Sequence, residues 1–407
     1  MSTRTRLFTG SGRLCVAQPH AAAPPETISP WAILVRGGTI TWVGAPGDLP
    51  SEPDPDETLD LGGRLVTPGL IDAHTHPAFA GDRSDEAAAR LAGAPYTGGG
   101  ILRTVVATRQ ARDEELEALV ETRLRAALDS GVTTIECKSG YGLSLDEELR
   151  QLKIIGRVAS RLPLRVVRTF LGAHAVPPDA ASPADYVSLV IAEMLPAVAK
   201  ERAAEFCDVF CDRGFFDVAS AEAILGAAHE LGLGIRLHAD QLADTGAAEL
   251  GVRLGATSVD HLEQLNPEGI AALAASDTVA TLLPAPALVM RSRQAPARAL
   301  LDAGASVALA SDANAGTFSG FGSMPLVIGL GATLLGMTID EAVLAATAGG
   351  AAALGLAAER GIIGAGFAAD LVAWDADHEG AFGLRLGSVR PTRMVIGGEP
   401  ITFGQAS

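Results

Sequence analysis

The chain has 407 residues, 48% of them hydrophobic, and its formal net charge at pH 7 is -17. This length and hydrophobic content suit one large domain with a small second one. So much negative charge repels phosphate backbones and anionic lipids, which argues against a nucleic-acid or membrane partner but allows an anionic small-molecule substrate held by local basic residues.

The cysteines and the most apolar segments favour a cytoplasmic protein. Residues 1–6 lack the long apolar stretch of a signal peptide. The most apolar tract, from Pro325 past Gly336, is interrupted by glycines and acidic residues, so we expect packed helices there instead of a membrane span. The cysteines lack a second pair with zinc-site spacing and are expected to be buried and reduced. They are Cys15, Cys137, Cys207 and Cys211.

Both ends of the chain are predicted to be rich in β-strands. Residues 32–44 have the pattern of a hairpin with a glycine turn, and residues 54–60 that of a polar loop. Short strand patterns recur at residues 370–375 and 393–398. We therefore expect residues 1–65 and 358–407 to form one small β-sandwich domain.

Residues 66–357 alternate between apolar runs and helix-length segments, such as the amphipathic pattern over 114–128. Eight such runs predict an α/β fold, a (β/α)8 TIM-type barrel that forms the catalytic domain. A doubly wound sheet is the alternative, but no Gly-x-Gly-x-x-Gly fingerprint follows an early strand, and the loop 98–100 has no strand before it. The runs are 66–76, 132–137, 165–171, 207–210, 235–238, 258–261, 279–283 and 307–310.

Histidines cluster where these runs end, which is where a barrel carries its chemistry. His74 and His76 end the first run, and alternate residues of a strand point to the same face, so both rings can reach one metal ion. Two unrelated polar residues at a strand end are the alternative. Five of the eight histidines lie at such ends, which favours a site: His74, His76, His174, His238 and His261.

His74, His76, His238 and Asp312 are predicted to hold one divalent or trivalent metal ion, zinc or iron. They come from the first, fifth and eighth runs and leave a coordination position for water. Asp312 can also accept a proton from that water. His261 can hydrogen-bond the water or an oxyanion, with ligation of a second metal as the alternative. The fourth run has no lysine to bridge two metals, which favours a single ion.

Several segments, taken in order, carry a family resemblance that spans the chain. The His74-Thr75-His76 element alone indicates only the amidohydrolase superfamily. The segments 138–143, Lys-Ser-Gly-Tyr-Gly-Leu, and 171–174, Leu-Gly-Ala-His, are far more specific. With the segments at 79–83, 98–101, 208–211, 238–241, 260–261 and 312–316, the chain resembles the imidazolonepropionase family of that superfamily.

The resemblance implies hydrolytic opening of the ring of 4-imidazolone-5-propanoate, giving N-formimidoyl-L-glutamate in histidine catabolism. Arg83 would hold the propanoate carboxylate. Enzymes of this shape often form homodimers, so a homodimer is the expected assembly if the chain is not a monomer. The implied catalytic residues are Asp312, His261 and Gln241. The implied substrate-binding residues are Arg83, Tyr96, Tyr141, His174, Gln241, Asn314, Gly316 and Thr317.

Gln241 departs from the family pattern, because many members carry glutamate there. Glutamine keeps the hydrogen bonds but cannot exchange a proton. Either Asp312 and His261 handle the protons, or the substrate differs. The alternative function is an aminohydrolase or another cyclic-amide hydrolase. The departure counts more strongly against the aminohydrolase, since related deaminases use that glutamate. A non-catalytic scaffold is a third hypothesis, disfavoured by the presence of all four candidate ligands.

Overall fold

The two ends of the chain form sheets of their own, and a parallel sheet occupies the middle. The computed structural model describes residues 4–16, 26–51, 54–93 and 100–402. The strands are β1 (Thr5–Gly10), β2 (Leu14–Val16), β3 (Glu26–Ile28), β4 (Trp31–Arg36), β5 (Thr39–Gly44), β6 (Glu57–Asp60), β7 (Val66–Pro68), β8 (Leu70–Asp72), β9 (Val132–Lys138), β10 (Arg165–Ala173), β11 (Phe206–Cys211), β12 (Gly234–Ala239), β13 (Ser258–His261), β14 (Val279–Leu282), β15 (Val307–Leu309), β16 (Leu371–Trp374), β17 (Pro391–Ile396) and β18 (Glu399–Ile401).

The middle sheet is the predicted barrel. Strands β8 to β15 pair in parallel, each with its neighbour in chain order. The first and last strands meet just beyond their ends, where the backbone N–H of Asp312 donates to the carbonyl of His74 at 3.0 Å and that of His76 to Ala313 at 2.9 Å. All eight predicted runs therefore contain barrel strands, and this closure brings two candidate ligand segments together.

Helices connect the barrel strands, and the amphipathic pattern predicted at 114–128 lies within α3. Leu116, Val120 and Leu124 of that helix are fully buried, as the four-residue spacing requires. The helices are α1 (Ser84–Leu91), α2 (Gly100–Gln110), α3 (Asp113–Asp129), α4 (Leu145–Ala159), α5 (Pro183–Leu189), α6 (Leu195–Glu201), α7 (Val218–Glu230), α8 (Ala247–Leu254), α9 (Pro267–Ala274), α10 (Pro284–Met290), α11 (Ala297–Asp302), α12 (Met324–Leu334), α13 (Ile339–Leu344), α14 (Gly350–Ala353) and α15 (Ala381–Leu384).

The terminal segments build two further sheets, in the orders β5-β4-β1-β6 and β18-β17-β16-β7-β2-β3. The second sheet joins both ends of the chain, since β16 pairs with β7. The predicted hairpin is confirmed as β4 and β5 with Gly37 and Gly38 in the turn, and the predicted C-terminal strands are confirmed as β16 and β17. The division into domains at residues 65 and 358 stays a prediction.

Two sequence predictions are wrong in extent. Residues 54–60 were expected to form a loop, but β6 pairs in parallel with β1; its side chains are only partly buried, so its hydrophobic pattern is weak. The run 66–76 is not one strand. Gly69 separates β7, which joins the terminal sheet, from the barrel strand β8, so His74 and His76 follow the strand end instead of lying on it.

The remaining expectations concern apolar segments and cysteines. The tract that begins near Pro325 lies mostly in α12, and in the described part of the chain no helix is long and apolar enough to cross a membrane. All four cysteines are buried and free of disulfides, as predicted. Gly100 begins α2, so it is not part of a loop, while residues 98 and 99 lie outside the described residues.

Candidate active site

Four side chains from three parts of the chain converge at the mouth of the barrel. His74 and His76 follow β8, His238 lies near the end of β12, and Asp312 follows β15. The Nε2 atom of His76 lies 3.2 Å from Nε2 of His74 and 3.4 Å from Nε2 of His238. Oδ1 of Asp312 lies 3.4 Å from His76 Nε2 and 3.6 Å from His74 Nε2. The four predicted ligand groups are therefore brought together.

These separations are those expected around a bound cation. Bonds of about 2.0–2.1 Å to nitrogen in a tetrahedral site place neighbouring ligand atoms about 3.3–3.4 Å apart. Without a cation, three imidazole nitrogens facing one another gain little, because each pair can share at most one proton. The arrangement can hold one metal ion.

Buried carboxylates orient two of the three rings. Nδ1 of His74 lies 2.6 Å from Oδ2 of Asp260, and Nδ1 of His238 lies 3.1 Å from Oδ1 of Asp208. Each Nδ1–H donates to a carboxylate, which leaves the Nε2 lone pair pointing into the cluster. Such carboxylate–histidine pairs fix the ring and raise the basicity of a metal ligand. Within the described residues, Nδ1 of His76 has no hydrogen-bond partner.

The orienting carboxylates belong to a fully buried ionic network below the cluster. Nζ of Lys138 donates to Glu136 and to Asp208, both at 2.6 Å, and lies 3.9 Å from Asp260. Arg236 donates to Asp260 at 2.9 Å. All five side chains are inaccessible to solvent. With every member ionised, three carboxylates outnumber two cations, and a metal ion nearby would compensate the remaining negative charge.

The electrostatic environment keeps the candidate ligand histidines neutral. The pKa of His74, His76 and His238 lies well below the usual range, chiefly because the rings are buried, and also because other imidazoles and Lys138 lie close by. Neutral imidazole is the form that binds a metal.

Asp312 and His261 both have backbone conformations that are unusual for residues with a side chain. Their φ angles are +46° and +84°. Burial raises the pKa of Asp312 to about 6, an effect that His261 opposes. Nδ1 of His261 lies 3.5 Å from a carboxylate oxygen of Glu263, which is itself buried. Strained backbone of this kind concentrates at functional sites.

Three of the four candidate ligands line a pocket that also contains most of the predicted substrate-binding residues. Gln241 and Asn314 are nearly buried there. Tyr96 lies outside the described residues, and Gly316 contributes to an adjoining cavity. The pocket is lined by His76, Arg83, Ile101, Tyr141, His174, Phe210, His238, Gln241, His261, Asp312, Asn314 and Thr317.

Arg83 is buried and held in place on one edge. Its Nε and Nη2 atoms donate to the two carboxylate oxygens of Glu86 at 2.9 and 2.7 Å. Gly316 lies against the guanidinium, and a Cβ there would come within 2.2 Å of Nη1. Arg83 is therefore not a solvated loop residue.

Asn314 organises the loop that follows Asp312. Its Nδ2 donates to the Asp312 carbonyl and to the Thr317 hydroxyl, both at 2.7 Å, and its Oδ1 accepts from the backbone N–H groups of Gly316 and Thr317. The amide is thus engaged within its own loop, and its role toward a substrate stays a prediction.

Comparisons with known proteins show the family to which this chain belongs. The protein-family model described as Amidohydrolase family matches residues 84–382. An imidazolonepropionase of Rubrobacter xylanophilus is 48% identical, over 86% of this chain and 86% of its own. One from Pseudomonas putida is 43% identical over 95% of this chain and 98% of its own. The chain belongs to the imidazolonepropionase family.

Solved structures support the fold of this imidazolonepropionase-family chain. An adenosine deaminase from Xanthomonas campestris with bound zinc has a TM-score of 0.75 and 20% identity, covering 98% of this chain and 93% of that one. An atrazine chlorohydrolase from Arthrobacter aurescens complexed with zinc has a TM-score of 0.72 and 21% identity, covering 98% and 95%. Both the family and the barrel predicted from the sequence are confirmed.

Some residues that build this site could not be identified from the sequence alone. They include Lys138, which the sequence shows only as part of a family segment, and Glu86, which binds Arg83. Charged residues inside otherwise apolar barrel strands were the available signal for the buried network, because such groups are almost never buried unpaired. Glu86 gives no comparable signal, since an acidic residue in a first helical turn is common.

Proposed function

We propose that the protein hydrolyses 4-imidazolone-5-propanoate to N-formimidoyl-L-glutamate, using one metal ion held by His74, His76, His238 and Asp312. The observation that carries the proposal is that three of the four candidate ligands, His76, His238 and Asp312, line one pocket together with the buried Arg83. This pairing matches a substrate with a hydrolysable ring at one end and a carboxylate at the other.

The donor set fits a single zinc or iron ion. Three imidazole nitrogens and one carboxylate oxygen suit both metals. When bound, such an ion makes water a better nucleophile near neutral pH and polarises the carbonyl that is attacked. The buried network holds the rings of His74 and His238 in place for that ion.

Arg83 would bind the propanoate carboxylate. Its guanidinium is fixed by Glu86, so little side-chain freedom remains to be lost when a substrate binds. Tyr141 and His174 line the same pocket, and their rings are 5.3 Å apart between centroids. Burial lowers the pKa of His174 to about 4, so it presents a neutral ring to the substrate.

The protein must take a proton from the attacking water and give one to the departing ring nitrogen. Asp312 is positioned for this transfer because its carboxylate lies within the cluster, with Oδ1 3.4 Å from His76 Nε2. His261 lies beside it and is backed by the Glu263 carboxylate. Gln241 can hydrogen-bond the substrate but takes no part in proton transfer.

Identification of the product by mass spectrometry tests this function. We expect one water to be added to 4-imidazolone-5-propanoate without release of ammonia. Release of ammonia would instead support the aminohydrolase alternative. A chain that binds no metal and leaves the substrate unchanged would support the scaffold.

Metal uptake by the metal-free protein is expected to depend on pH through Asp312. Burial raises the pKa of its carboxyl group to about 6, so the group carries a proton at lower pH. Metal binding must displace that proton. Protons compete with the metal for the three histidines only at lower pH, since the pKa values of these histidines lie well below the usual range. The dissociation constant for Zn²⁺, measured by chelator competition, should be nearly constant above pH 7 and rise by up to about tenfold per pH unit below pH 6. A constant value from pH 5 to 8 would contradict this.

Substitution of Gln241 by glutamate is expected to leave turnover unchanged or to increase it. The new carboxylate keeps the acceptor and adds a group that can exchange a proton, worth up to about 10²-fold where proton transfer limits the rate. Steady-state kinetics with the metal-loaded variant measures the effect. Complete loss of activity in a folded, metal-loaded variant would show that glutamine has a specific task at this position.

A further inference from the structure

Glu148 is a fully buried carboxylate outside the metal cluster, in the first turn of helix α4. We propose that Glu148 is a positioning residue, which fixes the loop 139–143 so that Tyr141 and His174 face the substrate in one geometry. This inference rests on the proposed function for the identity of the substrate. Glu148 itself is not among the residues that line the pocket.

The Glu148 carboxylate collects backbone donors from the loop. Its Oε2 accepts a hydrogen bond from the N–H of Gly140 at 3.0 Å. Its Oε1 accepts from the N–H groups of Gly142 at 2.8 Å and Leu143 at 2.7 Å. The Ser139 hydroxyl also hydrogen-bonds the carboxylate. One side chain therefore determines the course of the loop on both sides of Tyr141.

The same loop also sets the orientation of His174. The carbonyl of Gly140 lies 2.9 Å from His174 Nδ1, and since a carbonyl can only accept, that nitrogen carries the proton. The Nε2 atom of His174 is then the one with a lone pair. Gly140 has a φ of +108°, and a Cβ there would come within 3.1 Å of His174 Nδ1, so glycine permits this close approach.

Helix α4 supports the loop at a second point. The backbone N–H of Tyr141 donates to Oε1 of Gln151, one turn beyond Glu148, at 3.3 Å. Gly140, Tyr141, Gly142 and Leu143 thus all bond to side chains of this one helix. The Tyr141 and His174 rings, which both contact the ring of His76, take their positions from α4.

Only a carboxylate satisfies all of these donors. Three N–H groups share two acceptor oxygens, whereas a glutamine offers one oxygen and an NH₂ group. In a Glu148→Gln variant, the amide must direct an N–H group toward at least one backbone N–H. The loop should then shift, while the metal cluster, which α4 does not hold, should persist.

The test compares Glu148→Gln with Glu147→Gln, its half-buried neighbour, which pairs with Arg150. For Glu148→Gln we expect the KM for 4-imidazolone-5-propanoate to rise at least tenfold, with kcat within threefold of wild type and a full complement of metal. Amide hydrogen exchange should become faster in residues 139–143. Glu147→Gln should match wild type in each measurement.

An unchanged KM in folded Glu148→Gln would overturn the proposal, and so would a loss of kcat and metal with no change in KM. If Glu148→Gln does not fold, the Glu148→Asp variant is tested in its place, since it keeps both carboxylate oxygens on a shorter side chain. A raised KM at near-normal kcat supports the proposal, and a wild-type KM overturns it. If the wild type shows no turnover, the proposed function fails separately. Amide hydrogen exchange of Glu148→Gln then tests the role of Glu148. Faster exchange confined to residues 139–143 supports that role, and unchanged exchange overturns it.

Discussion

Replacing Asp312 with asparagine is expected to reduce kcat for 4-imidazolone-5-propanoate by about 10³-fold or more. The carboxylate lies 3.4 Å from His76 Nε2 and 3.6 Å from His74 Nε2, so it is both a candidate metal ligand and the group best placed to move a proton. Asparagine keeps the shape and one oxygen but has neither the charge nor the ability to accept a proton. Steady-state kinetics of the metal-loaded variant measures the loss.

Metal analysis separates the two roles of Asp312. If the variant retains metal and is inactive, the proton-transfer role dominates, and if it loses metal, ligation dominates. Asp302→Asn, an exposed carboxylate on α11, is the matched control and should behave as wild type. Turnover by Asp312→Asn within tenfold of wild type would contradict both roles.

Replacing Lys138 with methionine is expected to have the largest effect on stability. Its ammonium lies 2.6 Å from both Glu136 and Asp208, and all three groups are fully buried. Removing one partner from a buried ionic network costs about 3–5 kcal/mol, because three buried carboxylates are then left with Arg236 as their one cation in the network. Chemical denaturation measures this change in the free energy of unfolding.

The same substitution should weaken metal binding. Asp208 orients His238 and Asp260 orients His74, so disturbance of these carboxylates is expected to cost about 10–100-fold in metal affinity. Lys153→Met, which removes an exposed lysine paired with Glu201 on the surface, is the control and should change both quantities little. A Lys138→Met protein with wild-type stability and metal affinity would show that the network does not support the site.

The barrel and the candidate ligand set could be predicted because both leave a local signal in the sequence. Each parallel strand is buried on both faces and therefore appears as an apolar run. A ligand at a strand end is a polar residue that ends such a run, as His238 does, or follows it closely, as Asp312 does. The strand ends of one barrel meet at one mouth, so the order of the runs was enough to bring these residues together.

Other features depend on long-range packing and could not be predicted. The split of the first run at Gly69 arises because β7 pairs with β16, more than 300 residues later. The partners of Lys138 lie on β9 itself and on β11, and only the barrel geometry shows that its ammonium reaches both. Glu86 hydrogen-bonds Arg83, and Glu148 hydrogen-bonds the loop 139–143. Both contacts likewise depend on side-chain directions that a sequence pattern does not contain.

The most direct test of metal-dependent ring opening follows the ultraviolet absorbance of freshly generated 4-imidazolone-5-propanoate. The rate is measured with metal-loaded protein, with protein stripped by a chelator, and with stripped protein to which Zn²⁺ or Fe²⁺ is restored. We expect loss of absorbance well above the spontaneous rate with the loaded protein, a return to that background after stripping, and recovery with metal. A rate equal to the spontaneous background at every metal loading would contradict the account.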